Sequence, residues 1–492
     1  MSTRETFKIS LLAKMPKDVI NQFLSKDKTP FSVLFLSLLV GILAGLVGTY
    51  FEQAVHLVSE TRTDWLKSEI GSFLPLWLAA FLISAFLAFI GYFLVHRFAP
   101  EAAGSGIPEI EGAMDGMRPV RWWRVLPVKF FGGMGALGSG MVLGREGPTV
   151  QMGGAVGRMI SDIFRVKNED TRHSLLAAGA AGGLAAAFNA PLAGIMFVIE
   201  EMRPQFRYTL ISVRAVIISA VAANIVFRVI NGQDAVITMP QYDAPELSTL
   251  GLFLLLGALF GVFGVLFNYL ITLAQDLFVK FHRNDRKRYL LTGSMIGGCF
   301  GLLLLYVPEL TGGGISLIPT ITNGGYGAGI LLLLFVGRIF TTLLCFGSGA
   351  PGGIFAPMLA LGTLFGYAFG LIAKMWFPEL NIEPGMFAIA GMGALFAATV
   401  RAPITGILLV IEMTNNYHLI LPLIITSLGA VIFAQLLGGQ PIYSQLLHRT
   451  LKTKITATRF TTAEPQLIKV NLPKVKGTQI IAARKTSGFL SF

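Results

Sequence analysis

A chain of 492 residues that is 53% hydrophobic and 13% charged, where an ordinary soluble domain is about 25% charged, has lipid rather than water as its main solvent. The net charge of +12 sits almost wholly in the tails: residues 1–28 carry six Lys/Arg against three acids, and residues 449–492 carry nine against one. No nucleic-acid motif accompanies that charge, and two cysteines (Cys299, Cys345) with six unclustered histidines exclude a disulfide framework or a metal site.

In chain order, residues 1–28 form a basic segment expected in the cytoplasm, because excess Lys/Arg beside a span marks that side. No cleavable signal peptide is expected, since the first apolar run is too long for one. Apolar stretches near the roughly 20 residues needed to cross a bilayer run from Phe31 to Leu57, Leu74 to Phe98, Leu210 to Val229, Gly251 to Val279 and Leu331 to Phe346. Others, around 150–201 and 385–437, are broken by Gly or Pro. Breaks at membrane depth survive only where they are buried in protein or line a watery cavity. The expected fold is therefore all-α and polytopic, with broken and re-entrant helices. A first membrane repeat spans 29–230, a polar linker 231–249 and a second repeat 250–450. The basic loop 282–288 is expected inside, as is the tail 451–492, which is assigned no fold. Both termini are then cytoplasmic.

The repeat is visible in the residues themselves. A shift of 209 pairs Lys129 with Arg338, Phe131 with Phe340, Gly138-Ser139-Gly140 with Gly347-Ser348-Gly349, Gly144 with Gly353 and Pro148 with Pro357. A shift of 212 then pairs Ala190-Pro191 with Ala402-Pro403 and Val198-Ile199-Glu200 with Val410-Ile411-Glu412. Paired halves of this kind build transporters, with the site where broken helices of both halves meet.

Three turns share one design of glycines followed by a proline. They are Gly104-Ser105-Gly106-Ile107-Pro108, Gly144-Arg145-Glu146-Gly147-Pro148 and Gly352-Gly353-Ile354-Phe355-Ala356-Pro357. Proline suits the first helical position, so each turn is expected to open a helix whose unpaired N–H groups and partial positive charge attract an anion. Amides plus a hydroxyl, from Ser105 or Tyr443, would hold chloride without trapping it. Phe355 lies where neighbouring amides are free.

Glu146 is the sharpest residue, because a carboxylate in membrane surroundings is costly and functional by default. Ionised, it would fill the anion site; protonated, it would leave it, which couples chloride to protons. Glu200 and Glu201 end an apolar helix beside Arg203. One of them could admit protons, and spacing does not say which. Glu109 and Glu111 read as structural ion pairs with Arg118, Arg121, Arg124 and Lys129. No Gly-X-Ser-X-Gly, His-Glu-X-X-His or intramembrane histidine partner supports a membrane-embedded enzyme.

The three turns and Tyr443, in this order and spacing, resemble the CLC family of chloride channels and chloride/proton antiporters, and its bacterial antiporters in particular, over roughly Thr29 to Thr450. The resemblance implies an all-helical fold of two inverted halves in a bacterial inner-membrane homodimer with one pathway per subunit. It implies that Ser105, Tyr443 and the amides of Ile354 and Phe355 bind chloride, that Glu146 is the external gate and that Glu201 is the internal proton-transfer glutamate. Gly104, Gly106, Pro108, Gly144, Arg145, Gly147, Pro148, Gly353 and Pro357 would shape the supporting turns. Ser105 is the type associated with chloride, and proline there with nitrate. No cofactor is implied, and the cytoplasmic regulatory domains of larger relatives have no room after 450. The expected function is exchange of chloride for protons, and the alternative is a passive, voltage- or pH-gated channel of the same fold.

Overall fold

The structure, a computed structural model, describes residues 30–67, 74–202, 205–283 and 285–461. Arg203, all of residues 1–28 and the end of the basic tail lie outside the described residues.

The first half opens with two long helices, α1 (Phe31–Lys67) and α2 (Leu76–Phe98). A short turn then leads through the Gly104–Gly106 loop into α3 (Ile107–Met114), α4 (Trp122–Gly138), α5 (Glu146–Ile163), α6 (Glu169–Phe188), α7 (Pro191–Glu200) and α8 (Leu210–Asn231). The second half repeats the order: α9 (Leu250–His282), α10 (Arg286–Tyr306), a short turn, α11 (Leu317–Thr322), α12 (Ala328–Gly347), α13 (Phe355–Trp376), α14 (Pro384–Val400), α15 (Pro403–Thr414) and α16 (Ile420–Leu436). A last helix, α17 (Ile442–Thr461), carries Tyr443. The chain to Leu447 forms one compact unit. The second unit, from His448, is helical to Thr461, eleven residues beyond the expected end of ordered structure at 450.

Among the described residues, eight helices are long and apolar enough to cross a membrane: α1, α2, α8, α9, α10, α12, α13 and α16, the fourth and last counted with the short turn that precedes them. The sequence reading found five of these stretches. It did not count three as spans: α10, whose start Arg286-Lys287-Arg288 is basic; α13, expected only as a helix opened by the Gly352–Pro357 turn; and α16, placed within the broken stretch 385–437. Of the eight, α10 and α13 are the least apolar. α7 and α15 have 10 and 12 residues. At about 1.5 Å rise per residue each spans roughly half of a ~30 Å hydrocarbon core. Such helices are too short to cross it alone, as the Gly/Pro breaks implied.

The core of each half is a helix pair in near-backbone contact. A Cβ on Gly153 of α5 would fall on the Gly179 carbonyl of α6, and one on Gly362 of α13 would fall on the Gly391 carbonyl of α14. Only glycine admits that approach, and in lipid, where apolar burial between helices gains little, close packing is what holds helices together. The halves meet at an antiparallel bridge in which Gly144 and Gly353 exchange N–H···O bonds of 2.7 Å in both directions. These two residues are equivalents in the repeat. Equivalent segments that pair antiparallel run in opposite directions, so the halves are inverted with respect to each other.

Candidate anion and proton pathway

The bridge brings two helix-opening turns face to face. α5 begins at Glu146 and α13 at Phe355, so the prolines Pro148 and Pro357 stand third in their helices rather than first. Proline is harmless there, because the first four N–H groups of a helix have no intrahelical acceptor. The shift places Glu146 itself in the first turn. In the Gly104 motif the expectation holds more closely, with α3 starting at Ile107 and Pro108 next.

Glu146 is completely buried. Its carboxylate folds back over Gly144, where a Cβ would collide with Oε2, so glycine at 144 is what leaves room for it. Oε2 accepts the Ala356 amide of α13 at 3.4 Å, and Oε1 has no partner. The side chain thus occupies the N-terminal end of the opposite half's helix, where an anion would be held. It is not paired with its neighbour: Arg145 reaches away to Glu52 at 2.6 Å. Glu146, Arg145 and Glu52 line a cavity of about 940 Å³, together with Gly313 and Ala356.

The hydroxyl side of the site comes from a loop and a distant helix. Ser105 sits between Gly104 and Gly106, whose φ angles of +62° and +89° are left-handed and open chiefly to glycine. The loop presses on α5 so closely that a Cβ on Gly147 would fall on Ser105 Oγ. Ser105 and Tyr443 are both buried, and their hydroxyls lie close to each other with no other hydrogen-bond partner. The Tyr443 hydroxyl lies within interaction range of Ser105, Glu146, Glu201 and Glu111. Two buried hydroxyls with no partner beyond each other, beside open helix amides, form a set rich in donors. That set suits a small anion, since an unsatisfied buried donor otherwise costs about 1–3 kcal/mol. The Phe355 ring packs against Phe188 and Phe396, with centroids 5.2 and 4.4 Å apart, so only its backbone is available to a ligand.

The glutamates ending α7 part company. Glu200 reaches across to the second half and accepts the Ile404 and Thr405 amides at the start of α15, at 3.1 and 2.7 Å. Glu412, its repeat equivalent at the end of α15, accepts the Leu192 and Ala193 amides of α7 at 3.1 and 2.8 Å. Glu201 turns inward, is buried, and leaves Oε1 without a partner. It interacts with Glu111. The ion-pair reading of the α3 region needs correction there. Glu109 does approach Arg118 at 3.5 Å, but Arg121 pairs with Glu101 and Lys129 binds backbone carbonyls. Glu111 is buried with both oxygens unpartnered, near Glu201 and Tyr443. Sequence reasoning also missed Glu52 and the matched caps. The caps were discoverable, because the repeat aligns Glu200 with Glu412.

Comparison with known proteins bears on the whole arrangement. Residues 86–435 match the family model described as voltage gated chloride channel. The chain is 99% identical over 454 residues, 92% of its length and 97% of the relative's, to the H(+)/Cl(-) exchange transporter ClcA of Vibrio cholerae serotype O1. It is 82% identical over 92% of its length, and 97% of the relative's, to the protein of that name from Vibrio vulnificus. Its fold is similar to a solved slow cyanobacterial Cl-/H+ antiporter, with a TM-score of 0.81 and 42% identity, covering 85% of this chain and 98% of that one.

Proposed function

The chain belongs to the CLC family of voltage gated chloride channels, and from that premise we infer a chloride/proton exchanger whose gate is the side chain of Glu146. The protein exchanges chloride for protons across a membrane, the activity its relatives' names carry. The passive-channel alternative is not favoured, since these relatives are named as exchangers.

The observation that carries the mechanism is Glu146, buried with one carboxylate oxygen on the Ala356 amide and the other without a partner. A charged carboxylate and chloride compete for the same helix-end donors. Chloride arrival displaces Glu146, the displaced carboxylate takes a proton from the cavity side, and its return expels the anion. Between visits chloride rests on the hydroxyls of Ser105 and Tyr443 and the amides of Ile354 and Phe355. The proton that Glu146 carries inward passes to Glu201. Gly104, Gly106, Pro108, Gly144, Arg145, Gly147, Pro148, Gly353 and Pro357 form the turns that keep these groups in register.

The same reading puts a homodimer with one pathway per subunit in the bacterial inner membrane, with both termini cytoplasmic. The positive tails support that orientation. Residues 29–230 and 250–450 are the two membrane repeats, joined by 231–249. In liposomes, an imposed chloride gradient is expected to drive protons uphill. Chloride flux with no proton movement would overturn exchange and leave a channel.

A further inference from the structure

The repeat reaches further back than the sequence motifs. Pro100-Glu101-Ala102 returns as Pro308-Glu309-Leu310, each a single 3-10 turn entered from matching backbone: Ala99 at φ −149°, ψ 82° and Val307 at φ −144°, ψ 70°. Gly104 and Gly312 both have φ +62°, and Gly106 and Gly314 have φ +89° and +90°. The loop around Ser105 therefore has a twin around Gly313. Each twin is pinned to the opposite half, with the Gly104 N–H on Ala350 O at 3.1 Å and the Gly312 N–H on Gly140 O at 2.9 Å.

Each loop also rests on one fully buried cation at an equivalent position of α4 or α12. Lys129 Nζ donates to Ala102 O at 2.9 Å and Gly104 O at 2.6 Å. Arg338 donates to Glu309 O at 2.6 Å, Thr311 O at 3.1 Å and Gly312 O at 2.8 Å. Among the described residues neither cation forms an ion pair. Burying a charge on carbonyls alone is costly, and a costly feature kept in both halves has work to do there. In the first half the braced loop presents Ser105. In the second it walls the cavity over Glu146: a Cβ on Gly313 would stand 3.0 Å from Leu143 O and 3.6 Å from Ala356 Cβ. Ala356 in turn gives its amide to Glu146.

We propose that Arg338 is a positioning residue for the gate, acting through the Gly312–Gly314 loop to hold the wall against which the Glu146 carboxylate opens and closes. This rests on the reading of Glu146 as the gate. Arginine fits because its planar fork spreads its donors over two nitrogens to reach three carbonyls, a geometry that a compact ammonium does not match. Lysine at 338 would keep the charge and lose part of the brace, which separates geometry from electrostatics.

The test uses the purified full-length protein in phosphatidylethanolamine/phosphatidylglycerol vesicles, with chloride and proton fluxes recorded together. Arg338→Lys and Gly313→Ala are each made in the native background and with Glu146→Ala. Arg338→Lys is expected to slow coupled exchange about tenfold, the scale of one lost charge-assisted hydrogen bond, and to lower the protons moved per chloride. With Glu146→Ala it should leave chloride flux at the level of Glu146→Ala alone. Gly313→Ala, which leaves Arg338 intact, should show the same dependence on Glu146 and decides the matter if Arg338→Lys fails to fold. Equal slowing in both backgrounds, or unchanged exchange, would overturn the inference. If Glu146→Ala alone stayed proton-coupled, the gate reading beneath it would fall instead.

Discussion

At the bridge where the halves meet, the first half has Glu146 and the second Phe355; after the short helices, the first has Glu201 and the second Met413. In the twin glycine loops the first has Ser105 and the second Gly313. The backbone devices are shared: two helix-opening turns, two cation-braced loops, two reciprocal carboxylate caps. The titratable and hydroxyl groups facing the pathway are not. Duplication supplied an anion-attracting scaffold, and on the reading proposed above the proton chemistry resides in one copy. Electrostatics favours that division, since a second carboxylate at 355 would place like charges at one site and oppose ionisation of both as well as entry of chloride.

The largest effect should come from the residue with the greatest contrast. Glu146→Ala removes the competitor for the helix-end amides while the donors remain, so proton movement should cease and chloride flux continue. Simultaneous recording of both ions in liposomes checks this. Proton pumping that survived the substitution would mean that the halves do not differ in the way proposed. Glu201→Gln comes next. It keeps size and hydrogen bonding but cannot carry the proton inward, and chloride should still pass while proton flux falls by about a hundredfold, some 2.7 kcal/mol in barrier. Normal proton flux in that variant would remove Glu201 from the route and leave buried Glu111 as the first half's remaining inward carboxylate.

Ser105→Pro probes the loop contrast more gently. Losing one hydroxyl donor should shift preference from chloride towards nitrate by about tenfold, near 1.4 kcal/mol, read from competition fluxes. Unchanged selectivity would count against Ser105 as the selecting ligand.

The residues that carried the fold in the sequence were those whose backbone geometry demands a particular amino acid. Gly144, Gly147 and Gly353 were legible because a Cβ at each would meet an atom of the site. Ser105, Glu146 and Tyr443 came from the same motifs and from the family resemblance, and their assigned roles remain proposals. What stayed hidden depended on where a long side chain points. Arg145 could have paired with Glu146 next to it, yet it reaches Glu52 on α1. Glu111 could have met the basic residues that follow it, yet it faces Glu201. Sequence proximity gives no direction for such side chains. Long-range packing sets it.

The smallest effect is expected at the caps, where the halves are alike. Glu200 and Glu412 each accept two amides at the start of the other half's short helix, in matching geometry. Each carboxylate satisfies donors that lack intrahelical partners and meets the positive end of a helix dipole. Glutamine retains one acceptor oxygen and loses the charge, so Glu200→Gln and Glu412→Gln should each cost about 1–2 kcal/mol, lowering thermal midpoints in detergent by similar amounts. Thr405 Oγ1 also donates to Glu200, at 2.8 Å, which makes the Glu200 loss slightly the larger. If both act only as caps, the proton-to-chloride ratio should be unchanged in the two variants. A ratio that falls for Glu200→Gln and holds for Glu412→Gln would add a third carboxylate to the first half's proton chemistry. Midpoint shifts of this size, with unchanged ratios, would confine the asymmetry to the groups facing the anion.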